Sequence, residues 1–184
     1  IKEAAKKAID DNYSFYAPVA GYPELRKAVA KKFINENDLE YTPDQIVVST
    51  GAKHSIVNVM LSIINKGDEV IVPAPYWVSY VEQVKIAEGK NVIINTSIED
   101  EYKISPEQLE NAITPKTKAL LLCSPSNPTG SVYSYDELKA LADVLAKHPG
   151  IFVISDEIYE HINFRGKHAS IAQVPGMYDR TILV

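Results

Sequence analysis

The sequence predicts an α/β protein, a three-layer α/β/α sandwich around a mostly parallel central sheet. Three observations carry that expectation. Short β-branched runs alternate with stretches of helical periodicity along the whole chain. Several runs are apolar at every position, as in Ala119-Leu120-Leu121-Leu122-Cys123, so both faces of such a strand need covering. Helix-start signals fall in the gaps between the runs, where a layered fold needs them.

Taken in order, Ile1-Lys2-Glu3-Ala4-Ala5-Lys6-Lys7 reads as the middle of an amphipathic helix with no cap. Pro23-Glu24-Leu25-Arg26 opens a second helix with proline in its first turn, and Leu25, Val29 and Phe33 fall on one face. A strand is expected at 46–50. A helix from Ala52 to Asn65 follows, with Ile56, Val57, Val59, Met60, Ile63 and Ile64 forming a broad apolar face that ends at Lys66-Gly67. Strands are expected at 69–73 and 91–96. Ser105-Pro106-Glu107-Gln108 and Ser134-Tyr135-Asp136-Glu137 match the capping box, a hydroxyl followed three residues on by Gln or Glu. They bracket a strand expected at 118–124, and further strands are expected at 151–156 and 181–184. An uncapped start and a core strand at the last residue lead to the expectation that the chain is part of a larger protein, lacking segments at both ends.

Composition narrows the function classes. The chain has 184 residues, 46% of them apolar, the size and content of one domain with a real core. Net charge is −5 with the signs interspersed, so neither a nucleic-acid stripe nor a polybasic membrane patch is expected. No stretch approaches the ~20 apolar residues of a spanning helix. Cys123 is the single cysteine, which excludes an internal disulfide framework and fits a reducing, cytoplasmic setting. Cys123 itself is expected to be a small packing residue in a buried strand. His54, His148, His161 and His168 show no metal-ligand spacing.

In open α/β sheets, ligands bind beyond the carboxyl ends of the strands. After the first expected strand comes Thr50-Gly51-Ala52-Lys53 and a helix, an arrangement that offers free N–H groups and a positive dipole end to an anion, or merely a tight turn. After the second comes Pro73-Ala74-Pro75-Tyr76-Trp77, where the only tryptophan is held rigidly enough to stack on a flat ring, or simply packs. After the fourth comes Pro125-Ser126-Asn127-Pro128-Thr129-Gly130, in which two prolines fix a turn that can aim the Asn127 amide inward. After the fifth come Asp156, Glu157 and Tyr159, with 156 and 159 one helical turn apart if the chain curls. A carboxylate ending a buried strand needs a positive partner, a salt bridge or a helix N-terminus. A phosphate turn, an aromatic plate, an amide and a carboxylate with a phenol together suit a flat, phosphorylated, protonated heteroaromatic ring. Pyridoxal phosphate is such a molecule.

The motifs resemble those of the class I/II (fold type I) pyridoxal-phosphate aminotransferases, most closely the bacterial aspartate aminotransferase branch. The resemblance covers essentially the whole chain, through Tyr16-Ala17-Pro18-Val19-Ala20-Gly21-Tyr22-Pro23-Glu24-Leu25-Arg26, Ser49-Thr50-Gly51-Ala52-Lys53, Val72-Pro73-Ala74-Pro75-Tyr76-Trp77-Val78-Ser79-Tyr80, Ser126-Asn127-Pro128-Thr129-Gly130 and Ile154-Ser155-Asp156-Glu157-Ile158-Tyr159-Glu160. It implies that residues 1–184 are a partial cofactor-binding large domain, without the N-terminal arm, the small domain and the end of the large domain. It implies that Asp156 pairs with the pyridinium nitrogen and that Tyr159 and Asn127 bond the ring's phenolic oxygen. Gly51, Ala52 and Lys53 hold the phosphate, and Trp77 stacks on the ring. Trp77 and Asn127 also meet the substrate, and Tyr16 reaches the phosphate of the neighbouring subunit in a homodimer.

The family's Schiff-base lysine is expected within a few residues after Val184, and Lys167 does not match its motif. The resemblance therefore implies that the intact protein transaminates an amino acid, aspartate first, with a 2-oxo acid, while these 184 residues alone do not. Alanine, tyrosine and kynurenine aminotransferases, aminocyclopropane-carboxylate synthases and cystathionine β-lyase-like C–S lyases share the same motifs. So do aminotransferase-like sensing domains of transcription regulators. A nucleotide-binding α/β domain lacks its G-x-G-x-x-G here.

Overall fold

The computed structural model describes residues 1–184. Its strands are β1 (Glu69–Ala74), β2 (Lys90–Asn95), β3 (Thr117–Cys123), β4 (Phe152–Asp156) and β5 (Thr181–Leu183). Its α-helices are α1 (Lys2–Asp10), α2 (Pro23–Asn37), α3 (Ala52–Ile63), α4 (Ser79–Ile86), α5 (Pro106–Ala112) and α6 (Tyr135–Leu145). The five strands form one sheet in the order β2-β1-β3-β4-β5, and every neighbouring pair is parallel. Parallel neighbours need crossovers, which the helices supply.

The apolar strands are buried on both faces, as their unbroken apolarity requires. Leu120 and Leu122 of β3 and Val153 of β4 pack with Leu109 of α5 and Leu138, Leu141 and Leu145 of α6. Ala119, Leu121 and Ile154 point the other way, against Ile56 and Met60 of α3 and Tyr80 and Val84 of α4. Side chains alternate across a strand, so one continuous run feeds two separate cores. Each fully buried leucine contributes about 1.5–3 kcal/mol of transfer free energy.

The local start signals form as the sequence predicts. Ser105 and Ser134 each accept from the backbone N–H three residues on, and Gln108 and Glu137 close the capping boxes. Helix α1 has no side-chain cap and buries no residue. On α2 the face marked by Leu25 stays largely open, and the buried positions are Ala30 and Asn37.

The strand expected at 46–50 does not form. The segment runs extended, Val48 N–H donates to the Ala20 carbonyl at 3.0 Å, and none of the five strands pairs with it. A strand needs a neighbour to share a ladder, whatever its β propensity. Grooves of about 270 and 300 Å³ are lined by residues of 46–50 together with residues of β5. With nothing over it, Val47 is 66% exposed.

Candidate cofactor site

The carboxyl ends of β1, β3 and β4 lie side by side in the sheet, and the sequence-marked residues follow them. Asp156, the last residue of β4, is 3% exposed. Its Oδ2 accepts from the Tyr80 hydroxyl at 2.6 Å and its Oδ1 from the Ile158 N–H at 3.3 Å. No cation touches it, so neither a salt bridge nor a helix N-terminus accounts for this carboxylate. Burial holds its pKa above the ordinary aspartate value, with the negative Glu157 adding to that, while the bonds from Tyr80 and Ile158 pull it down. Burial also pushes the Tyr80 phenol well up, so it stays a donor.

Tyr80 falls inside the Val72–Tyr80 motif of the family resemblance, but the sequence alone gives it no role. It lies on α4, one turn after Trp77, with the two rings edge to face at 5.5 Å between centroids. The spacing of three from Trp77 is the only local sign that both point the same way. The Lys53 ammonium stands 4.9 Å from the Trp77 indole centroid. Gln83 of α4 donates to the Lys53 carbonyl at 2.9 Å, which ties α4 to the start of α3.

The start of α3 is unlike those of α5 and α6, because no side chain caps it. Gly51 stands at the cap position with φ +86°, and the space where a Cβ would sit is open. A positive φ selects glycine here. The N–H groups of Ala52 and Lys53 have no backbone acceptor, while those of His54 and Ser55 donate to the Gly51 carbonyl at 3.0 and 3.1 Å; free N–H groups at a helix start are the arrangement that receives anions.

Asn127 shares a cavity of about 20 Å³ with Tyr76, Tyr80, Cys123 and Ser126. Its loop is pinned by two backbone bonds, Ser126 N–H to the Ser131 carbonyl and Gly130 N–H to the Ser126 carbonyl, both at 2.8 Å. Cys123 is half-buried, next to Asp156 in register, with its thiol pKa pushed up by burial. It packs against the α3–α4 core, as expected of a small residue in this strand, and also lines the small cavity beside Asn127.

Lys53, Trp77, Tyr80 and Asp156 thus form a chain of contacts, with Gly51 and Ala52 at one end and Asn127 beside Tyr80. Tyr159 lies on the turn after β4, where Ile162 N–H donates to its carbonyl at 2.7 Å, and its phenol is half-buried without a hydrogen bond of its own. Tyr16 is fully exposed and stands apart from these residues.

The fold is an α/β domain with a parallel sheet, and its strand ends carry an uncapped helix start, an aromatic ring and a buried carboxylate. The chain belongs to the aminotransferase class I and II family, whose model matches residues 1–183. It is 52% identical over 186 residues to a probable aspartate/prephenate aminotransferase of Rickettsia bellii, covering 100% of this chain and 47% of that protein. It is 50% identical over 185 residues to a bifunctional aspartate aminotransferase and glutamate/aspartate-prephenate aminotransferase of Petunia hybrida, covering 100% of this chain and 39% of that one. Among solved structures, an aspartate aminotransferase from Rhizobium meliloti superposes with a TM-score of 0.95 at 43% identity, over 98% of this chain and 46% of that one. The Thermus thermophilus aspartate aminotransferase solved with maleate gives a TM-score of 0.94 at 45% identity, over 99% and 47%. The chain therefore spans less than half the length of these relatives.

Proposed function

We propose that the whole protein is a pyridoxal-phosphate-dependent aminotransferase acting on aspartate and a 2-oxo acid, and that these residues hold the cofactor. One observation carries the proposal: the Asp156 carboxylate, 3% exposed and without a cation, hydrogen-bonded to Tyr80 beside Trp77. A buried carboxylate without a positive partner is costly, and a protonated ring nitrogen is such a partner. The residues present fit the group, since the uncapped α3 start at Gly51 suits its phosphate as well.

Bound pyridoxal phosphate supplies an electron sink for moving an amino group between an amino acid and an oxo acid. The chain's own residues bind and tune. Asp156 keeps a proton on the ring nitrogen, and Tyr80 holds the carboxylate in place. Tyr159 and Asn127 offer hydrogen bonds to the ring's phenolic oxygen, and Asn127 also meets the substrate carboxylate. Trp77 covers a ring face and lines the amino-acid pocket, while Gly51, Ala52 and Lys53 receive the phosphate. Tyr16, free in this chain, serves the site of a second subunit in a homodimer.

Aspartate as the amino donor is supported by the names of the relatives, several of which also name prephenate, and by the dicarboxylate maleate in a Thermus relative's structure. A cytoplasmic setting is supported by the single unpaired cysteine, and no helix is long and apolar enough to cross a membrane. The family's cofactor-bearing lysine belongs to the whole protein beyond Val184, so the 184 residues bind pyridoxal phosphate reversibly and do not turn over.

The test adds pyridoxal phosphate to the purified chain and follows absorbance and Trp77 fluorescence, before and after borohydride. The expected result is reversible binding with no reduced adduct, weakened about 10- to 100-fold by Asp156→Ala, the loss of a charge-assisted bond. A stable reduced adduct together with transaminase turnover by the 184 residues rejects the assignment of the lysine. Unchanged affinity in Asp156→Ala rejects the cofactor placement.

A further inference from the structure

Glu157 is a buried titratable group that the proposed function leaves unused. It is the residue after Asp156, its side chain is 8% exposed, and it too has no lysine or arginine partner. Oε1 accepts from Ser155 Oγ and from Ser170 Oγ, each at 2.7 Å. Oε2 lies 2.7 Å from His168 Nε2. Its backbone N–H donates to the Val184 carbonyl at 2.8 Å, so the same residue ties β4 to the end of β5.

The donor pattern fixes the charges. Both hydroxyls donate, and His168 donates through Nε2, so the carboxylate accepts all three as an anion. His168 is 9% exposed, and its Nδ1 is buried without a partner. A bare lone pair there costs less than an unsatisfied charged N–H, which assigns the neutral imidazole with its proton on Nε2. Three neutral donors therefore hold one full negative charge in the protein interior.

Alternation along the strand places this charge behind the site. Ile154 and Asp156 face the α3–α4 layer, where Tyr80 is; Ser155 and Glu157 face the opposite layer, where Ser170 and His168 are. The two carboxylates are neighbours in sequence, back to back across the backbone. We propose that Glu157 is a positioning residue for Asp156, its three-point anchorage and its buried charge setting the direction and strength with which Asp156 accepts a hydrogen bond. Its bearing on catalysis rests on the cofactor placement proposed above. A more basic carboxylate is a stronger acceptor; burial is the main influence that raises Asp156, and the Glu157 charge adds to it as the smallest influence after the bonds from Tyr80 and Ile158. The other titratable groups facing the pair are Tyr80 and Cys123 on the Asp156 side and Tyr41 and His168 on the Glu157 side; none is cationic in this assignment.

The experiment is a carbon-detected NMR titration of the Asp156 and Glu157 carboxyls in the 184-residue chain, unaltered and as Glu157→Gln. Gln keeps the shape and most of the hydrogen bonding but removes the charge. The Asp156 midpoint is expected to fall by about one pH unit, the order of a unit charge acting through a partly polar interior. A lowered melting temperature alone would reflect any structural role, but a purely structural Glu157 leaves the Asp156 midpoint in place, and that result overturns the proposal. Should Glu157→Gln fail to fold, the unaltered chain decides. The Asp156 curve must then carry a second inflection at the Glu157 midpoint, as coupled sites do, and a single-step curve overturns the proposal. A displaced midpoint in a chain that fails to bind pyridoxal phosphate leaves the coupling standing and removes only the cofactor placement.

Discussion

Replacing Tyr80 by Phe removes one hydroxyl from the candidate site and leaves its ring packing intact. The lost bond is short, 2.6 Å to Asp156 Oδ2, and both partners are almost wholly buried. Water cannot substitute for the donor at such a position. A hydrogen bond to a charged group is worth about 1.5–3 kcal/mol, and the retained ring leaves no cavity to add to that. For a chain of this size, 1 kcal/mol corresponds to about 2–4 °C, so melting falls by about 3–12 °C at neutral pH.

The sign of the pH dependence follows from Asp156. Burial holds its folded-state pKa above the ordinary value, while the Tyr80 bond works against that rise. A raised carboxyl pKa favours folding at low pH and loses that contribution as pH rises through the folded value. Tyr80→Phe removes a lowering influence, so the mutant's penalty is largest at neutral pH and shrinks as Asp156 protonates. Urea unfolding across a pH series, for Tyr80→Phe, Asp156→Asn and the double mutant, measures both the penalty and the coupling. Coupling of about 1.5–3 kcal/mol at neutral pH is expected. Strictly additive penalties, or a penalty equal at acid and neutral pH, would refute an ionised Asp156 held by this donor.

Two further substitutions test the frame of the site. Gly51→Val meets no neighbour where its Cβ would sit, yet φ is +86° with ψ 165°, so its cost is backbone strain of about 1–3 kcal/mol; thermal melting should show that loss together with weaker pyridoxal phosphate binding, and unchanged melting would mean that the turn relaxes freely. Leu120→Ala empties a fully buried position between α5, α6 and the sheet and should cost about 2–5 kcal/mol in urea unfolding.

What the sequence made legible is what neighbouring residues decide. Ser105 with Gln108 and Ser134 with Glu137 need only a spacing of three, and both capping boxes form with reciprocal bonds. Unbroken apolarity at residues 119–123 reports burial on two faces without reference to any partner. The strand ends followed, and with them Trp77, Asn127 and Asp156. The segment 46–50 looked like a strand because β propensity is local, whereas a ladder requires a neighbour that it lacks. Tyr80 escaped for a related reason: it meets Asp156 across 76 residues of chain, and nothing beside it in sequence marks that meeting. The pairing of Glu157 with His168 is closer, 11 residues apart, but crosses an irregular loop without a periodicity to read.

Asp156 and Glu157 together explain why one carboxylate is assigned to a ligand and the other is not. Two adjacent acids ending a buried strand is an unfavourable arrangement, because both charges lose water and each repels the other. The strand's alternation separates them onto opposite faces, and neutral donors serve each in place of cations. The donor sets differ, however. Glu157 receives two hydroxyls and an imidazole from residues packed around it, a set that uses most of what a carboxylate can accept. Asp156 receives one phenol and a longer bond from Ile158, which leaves accepting capacity on the side where Trp77, Asn127 and the start of α3 gather. A buried charge with most of its accepting capacity filled from within the protein is held in place; one left partly served, at the mouth of a parallel sheet, keeps room for a further donor, which is the place the proposed cofactor takes.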